Sequence, residues 1–170
     1  MNLRTLFYSA PFLLLFACSN ESAKPADTVK KDTAAAAPAV SAGGYDSLLA
    51  KKLGADEYGM RKYVMAFLRK GPNRSKDSAT RVELQKAHMA NIDRMAEEGK
   101  LCVAGPFMDD GELRGIYIFN VETVEEAQKL TETDPLIKSG GLVMELHPWY
   151  GSAGLMQVNE THKRLQKTSF

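Results

Sequence analysis

Residues 77–106 read "DSATRVELQKAHMANIDRMAEEGKLCVAGP", and the periodicity changes once within them. Asp77 or Ser78 offers a side-chain oxygen to cap a helix, and Gly99 supplies the residue that most easily turns left-handed at a helix end. Between them Val82, Met89, Ile92, Met95 and Ala96 recur at helical spacing up to Glu98, so one face is expected to be buried. The apolar run "LCVAGPFM" follows at once and reads as a strand. His88 falls at the flank of the apolar stripe, where an imidazole reaches the boundary between a core and a pocket.

Working outward, "KYVMAFLR" (62–69) alternates branched and aromatic side chains and stops at the breaker "KGPN", so it is expected to be the first strand. On the other side, "DDGEL" separates "LCVAGPFM" from the strand-like "GIYIFNV". Asp110 and Gly111 suit a hairpin whose residues need positive φ. Thr123 is a cap candidate for a second helix in "ETVEEAQKLTETDP", which is expected to stop before Pro135 and leave Asp134 at the helix exit. After a Gly140-Gly141 turn, "GLVMELHPWY" is the last strand. The order β-α-β-β-α-β predicts an α+β, ferredoxin-like unit with an antiparallel sheet and both helices on one face. The uncovered face is expected to meet a second subunit.

The chain has 170 residues and a formal net charge of +1, with no run of Lys and Arg interleaved with aromatics, which argues against nucleic acid as a partner. Residues 1–18, "MNLRTLFYSAPFLLLFAC", place Arg4 before an apolar run too short to span a bilayer, the order of an export signal. "LFAC" is similar to the bacterial lipobox, so Cys18 is expected to carry a diacylglycerol and tether the protein to a membrane of the bacterial cell envelope, periplasmic or on the outer surface; a plain cleavable signal is the alternative. Residues 19–44, rich in Ala, Ser, Pro, Lys and Asp, read as a flexible tether. Residues 45–61 are an N-terminal extension with a short helix, 62–150 the folded domain, and 151–170 a C-terminal tail. Cys102 has no partner in the mature domain and reads as a small buried side chain.

"HMANIDRMAEEGKLCVAGPFMDD" and "EEAQKLTETDPLIKSGGLVMELHPW" together resemble the YciI-like (YCII-related) family over about residues 62–150. The shared pattern is a helix histidine, a strand finishing in Ala-Gly-Pro, a hairpin, a second helix finishing in Asp-Pro, and a final strand with a late proline. The resemblance implies a homodimer built as a dimeric α+β barrel, with a small-molecule pocket holding a histidine and an aspartate. These fall on His88 and Asp134, and Gly105 and Pro106 fall on the family's strand-end turn. Many relatives carry an arginine one helical turn before the histidine; Gln85 stands there, which points to a neutral substrate.

An aspartate that accepts from one ring nitrogen fixes the tautomer and raises the basicity of the other. The expected function is therefore proton-transfer chemistry on a small molecule, of elimination or isomerisation type, with His88 as acid/base, Asp134 as its orienter, and no cofactor required. The alternative is a non-catalytic ligand-binding or assembly module of the envelope. Glu145, His147 and His162 lack a compact metal-ligand spacing, so no metal site is expected. "KSGGL" lacks the phosphate-loop continuation and reads as a turn, and "NET" (159–161) matches a glycosylation acceptor by chance. Trp149 and Tyr150 read as seals of a core or a subunit contact.

Overall fold

The computed structural model describes residues 44–168; the expected export signal, Cys18 and nearly all of the expected tether lie outside them. Helix α1 (Ser47–Leu53) precedes strand β1 (Met60–Lys70), helix α2 (Ser78–Glu97) and strands β2 (Leu101–Pro106) and β3 (Leu113–Phe119). Helices α3 (Val124–Thr131) and α4 (Pro135–Lys138) lead to strand β4 (Leu142–Ser152), a 3-10 turn (Ala153–Gln157) and helix α5 (Val158–Leu165). The four strands form one sheet in the order β2-β3-β1-β4, every neighbouring pair antiparallel. This is the expected α+β, ferredoxin-like arrangement.

Alternation along β1 assigns the two faces. Val64, Ala66 and Leu68 join Tyr117 and Phe119 of β3, Met95 of α2 and Ala127 of α3 in one core cluster, so both long helices cover the same face. Tyr63 sits on the opposite face with Cys102 and Ile118, under Trp149, Leu155 and Met156. The tail after β4 thus folds back over one end of that second face. Burying side chains the size of Met95 or Phe119 stabilises a fold by roughly 1.5–3 kcal/mol each.

Local chemistry accounts for the element ends. The Asp77 carboxylate accepts from Thr80 N at 2.7 Å to cap α2, and Gly99 follows with a φ of 67°. Thr123 Oγ1 accepts from Glu126 N at 3.2 Å to cap α3. Gly71 is required by close approach: a Cβ there would lie 2.1 Å from the Gly140 carbonyl oxygen, where the loop after β1 meets the turn before β4.

Two expectations are corrected and a third is extended. Val82 is 64% exposed, because the inward row of α2 is Leu84, His88, Asn91 and Met95 and Val82 stands off it. His88 therefore lies on the buried row itself, not at its flank. Gly111 is not among the positive-φ glycines: six residues connect β2 to β3, enough to turn without a left-handed residue, and Asp109 Oδ1 accepts from Gly111 N at 3.4 Å. The second helix does stop before Pro135, since α3 ends at Thr131, and a further short helix begins at Pro135 itself. Proline is tolerated at the first helical position because that N–H has no intrahelical acceptor, and Asp134 caps this α4.

Candidate functional site

Asp134 is held from both sides. Its Oδ1 accepts from Leu136 N at 2.9 Å, the capping bond that starts α4. Its Oδ2 lies 2.6 Å from His88 Nδ1, and the carboxyl is fully buried. The segment ahead of it is clamped to α2: Arg94 Nη2 donates to Asn91 Oδ1 at 2.8 Å and to Thr133 Oγ1 at 3.0 Å, while the Thr133 hydroxyl donates to Asn91 Oδ1 at 3.0 Å. The His88–Asp134 contact thus joins the middle of α2 to the start of α4, 46 residues apart in sequence.

With a carboxylate as its neighbour, Nδ1 carries the proton and donates, so Nε2 is the ring's accepting nitrogen. Nε2 lies 3.4 Å from the Tyr117 hydroxyl, and the two rings are stacked at a centroid distance of 6.4 Å. Burial first, and then the negative charge of Asp134, push the Tyr117 phenol well above its ordinary range, so it stays a neutral O–H donor. Asp134, His88 and Tyr117 form a line from the α3–α4 junction, through α2, to the centre of the sheet.

This line opens onto a cavity of about 610 Å³ between α2 and the sheet. Its floor includes Leu68, Tyr117 and Leu142, and its walls include Leu84, His88 and Ile92. Gln85, Gly105 and Pro106, the three other residues singled out in the sequence, also line it. A Cβ on Gly105 would meet nothing within 4 Å. The close approach is instead at Gly115, where a Cβ would fall 2.5 Å from the Gly105 carbonyl oxygen.

Tyr117 and Gly115 are the residues that sequence reasoning missed. Tyr117 had a signal: in "GIYIFNV" it is the polar-tipped aromatic on the strand face opposite Ile116 and Ile118. Gly115 had none, because only the cross-strand distance reveals its need. His147 Nε2 and Glu145 Oε1 do face one way, 2.9 Å apart, but His162 stands elsewhere and lines the cavity from α5. Among the described residues no group of three or more His, Cys, Asp and Glu side chains is gathered as metal ligands. Cys102 is buried, its thiol pushed up to about 11 by desolvation, which leaves it a poor nucleophile. Trp149 packs on Tyr63 at a ring-centroid distance of 5.8 Å, and the Tyr150 hydroxyl donates to Asp56. Asn159 Nδ2 donates to the Leu101 carbonyl at 2.6 Å, which fastens α5 to the edge strand.

The model of the YCII-related domain matches residues 63–150. The uncharacterised protein YjpA of Bacillus subtilis (strain 168) is 32% identical over 62 residues, 36% of this chain and 71% of that protein. Among solved structures, 5-chloro-2-hydroxyhydroquinone dehydrochlorinase (TftG) from Burkholderia phenoliruptrix AC1100, in complex with 2,5-dihydroxybenzoquinone, is similar with a TM-score of 0.39 and 22% identity. That match covers 51% of this chain and 92% of that one. The family match spans β1 to β4 and includes His88, Asp134 and Tyr117: the chain belongs to the YCII-related domain family.

Proposed function

We propose that this protein is an acid–base catalyst acting on a small molecule, with His88 as the proton-transferring group and Asp134 as its positioning residue. The observation that carries the reading is the 2.6 Å contact between His88 Nδ1 and a fully buried Asp134 carboxyl, beside a cavity large enough for a ring-sized compound. Nε2 takes a proton from a carbon next to a carbonyl group, and the electron pair of the broken C–H bond moves onto the carbonyl oxygen. Asp134 stabilises the imidazolium that results, and Nε2–H returns the proton to another atom of the substrate or to a leaving group. The neutral Tyr117 hydroxyl donates a hydrogen bond to the oxygen that gains negative charge. The class is elimination or isomerisation, and no step draws on a cofactor.

A second reading has an observation of its own. The same contact ties α2 to α4, so the pair also suits a purely structural staple in a ligand-binding or assembly module. His88→Ala and Asp134→Asn separate the two once a substrate is in hand. Catalysis predicts lost turnover with folding and ligand binding kept, and a staple predicts lost stability with turnover surviving in whatever folds.

The proposal extends to the setting. The protein is exported, anchored by lipid at Cys18, and paired as a homodimer through the sheet face that carries Met65 and Phe67, both half-buried in the single chain. Cys18→Ala is expected to move the protein from the detergent phase to the aqueous phase in a two-phase partition. Unchanged partition removes the anchor.

A further inference from the structure

Gln85 stands where an arginine would mark an anion site next to His88, yet the cavity is not short of positive charge. Arg74, Arg81 and Arg114 all line it, against Asp93 as its one lining carboxylate. Arg74 and Arg81 are linked through the loop that carries Arg74, and Arg114 comes from the sheet. The loop carrying Arg74 is tied to the turn before β4 through Asn73 N and the Gly140 carbonyl, 2.9 Å apart. Arg81 begins the second turn of α2 and donates from Nη1 to the Lys76 carbonyl at 2.9 Å and the Ser75 carbonyl at 3.4 Å, which folds that loop over the mouth. Arg114 is on β3 next to Gly115 and donates to the Asp109 carbonyl at 3.1 Å. These acceptors are backbone carbonyls; the Asp77 carboxylate that caps α2 lies near enough to Arg81 to feel its charge, but among the described residues no carboxylate is hydrogen-bonded to Arg81 or Arg114. Among the described residues nothing accepts from the Arg74 guanidinium. Asp93 lies three turns along α2 from Arg81, about 18 Å at 1.5 Å per residue, beyond one screening length.

Resting on the catalytic reading above, we infer that the substrate is an anion, its carboxylate or phosphate held at this mouth by Arg74 and Arg81 while its apolar body lies over Leu68 and Leu142 beside His88. The spacing sets the shape. Arg81 precedes His88 by seven residues, about 10 Å along the helix axis. Helical side chains lean toward the N-terminus, which carries the Arg81 guanidinium further from the imidazole. The charged group is therefore remote from the reacting carbon, at the end of a ring or short chain. Arg81 lies one turn beyond Gln85 and replaces an arginine beside the histidine by one at the mouth. An anionic substrate runs against the neutral one expected from Gln85 alone.

The test uses two probes with one carbon skeleton, phenylbutyrate and phenylbutanol, titrated into the protein at pH 7 and low salt while the His88 and Tyr117 ring resonances are followed by NMR. The carboxylate is expected to bind about tenfold tighter or better, as charge-assisted hydrogen bonds to guanidinium allow. That margin is expected to shrink in high salt. Arg81→Gln combined with Arg74→Gln is expected to erase it and leave phenylbutanol binding unchanged. Should the double variant fold poorly, Arg74→Gln alone, at an exposed side chain, is expected to lower the margin by a factor of a few. Equal or tighter binding of the alcohol, no shift with either probe, or a margin that survives the arginine substitutions overturns the inference. A margin that persists in His88→Ala, together with turnover that also persists there, leaves the anion site standing and sinks the catalytic reading.

Discussion

Two histidine–carboxylate pairs sit in this molecule at nearly the same bond length and in opposite surroundings. His88 and Asp134 are 2.6 Å apart with side chains 9% and 0% exposed, whereas His147 and Glu145 are 2.9 Å apart with side chains 49% and 43% exposed. The buried carboxylate is fixed by a backbone N–H of α4. The exposed one is shared with Arg69, 2.7 Å away, on the open face of the sheet. Bond length does not distinguish a candidate site from a surface contact. What distinguishes them is exclusion of water on one side of the pair and a cavity on the other, because a proton held in low dielectric is governed by its few neighbours and not by solvent.

The comparison can be broken at the buried pair first. His88→Ala is expected to cost about 10²–10⁴ in turnover, the usual share of a positioned acid/base group, while the same change at His147 leaves turnover alone. Loss of activity with His147 and not with His88 would invert the assignment. Asp134→Ala removes a cap and strands a buried imidazole, so a urea melt is expected to lose about 3–5 kcal/mol. Asp134→Asn keeps a capping oxygen and is expected to lose less.

Tyr117→Phe sharpens the contrast. A hydroxyl that only fills space should cost about 0.5–1.5 kcal/mol in stability and nothing more. A hydroxyl that donates to the reacting oxygen should also slow turnover by about tenfold or more, equivalent to 1.36 kcal/mol per factor of ten. Kinetics and melts on the same preparation decide between them.

The exposed pair should give the smallest effects. Glu145 is held below the ordinary carboxylate range by its hydrogen bond from Arg69 and then by that from His147. A depressed folded value means that its contribution is present above the unfolded carboxylate pKa and lost as pH falls through the folded one. Because both partners face water, the difference between wild type and Glu145→Gln is expected to be small at pH 7, smaller still in high salt, and gone in acid. A large, salt-insensitive loss in Glu145→Gln would show that this surface is covered in solution.

Much of the fold was legible. The caps at Asp77 and Thr123, the left-handed Gly99 and the alternation of "KYVMAFLR" are local signals, and the elements formed where those signals lie. The pair His88 and Asp134 was legible only through the family pattern, since nothing local links residues 46 positions apart. Pro135 marked the stop of the second helix correctly, but the short helix that begins at the same ring was not read from the sequence. The stripe on α2 was mis-centred because Val82 is apolar yet exposed, and polar Asn91 is buried because Arg94 and Thr133 satisfy its oxygen.

The sequence by itself determined where the main helices and strands lie and their order, because caps, periodicity and turn residues act over a few neighbours. Only the tertiary structure decided that His88 lies on the buried row of its helix, that Tyr117 faces it, that Gly115 must lack a side chain, and that arginines from a loop, a helix and a strand line one cavity. Those are distances between segments brought together by burial of the core, and a chain's local chemistry does not contain them.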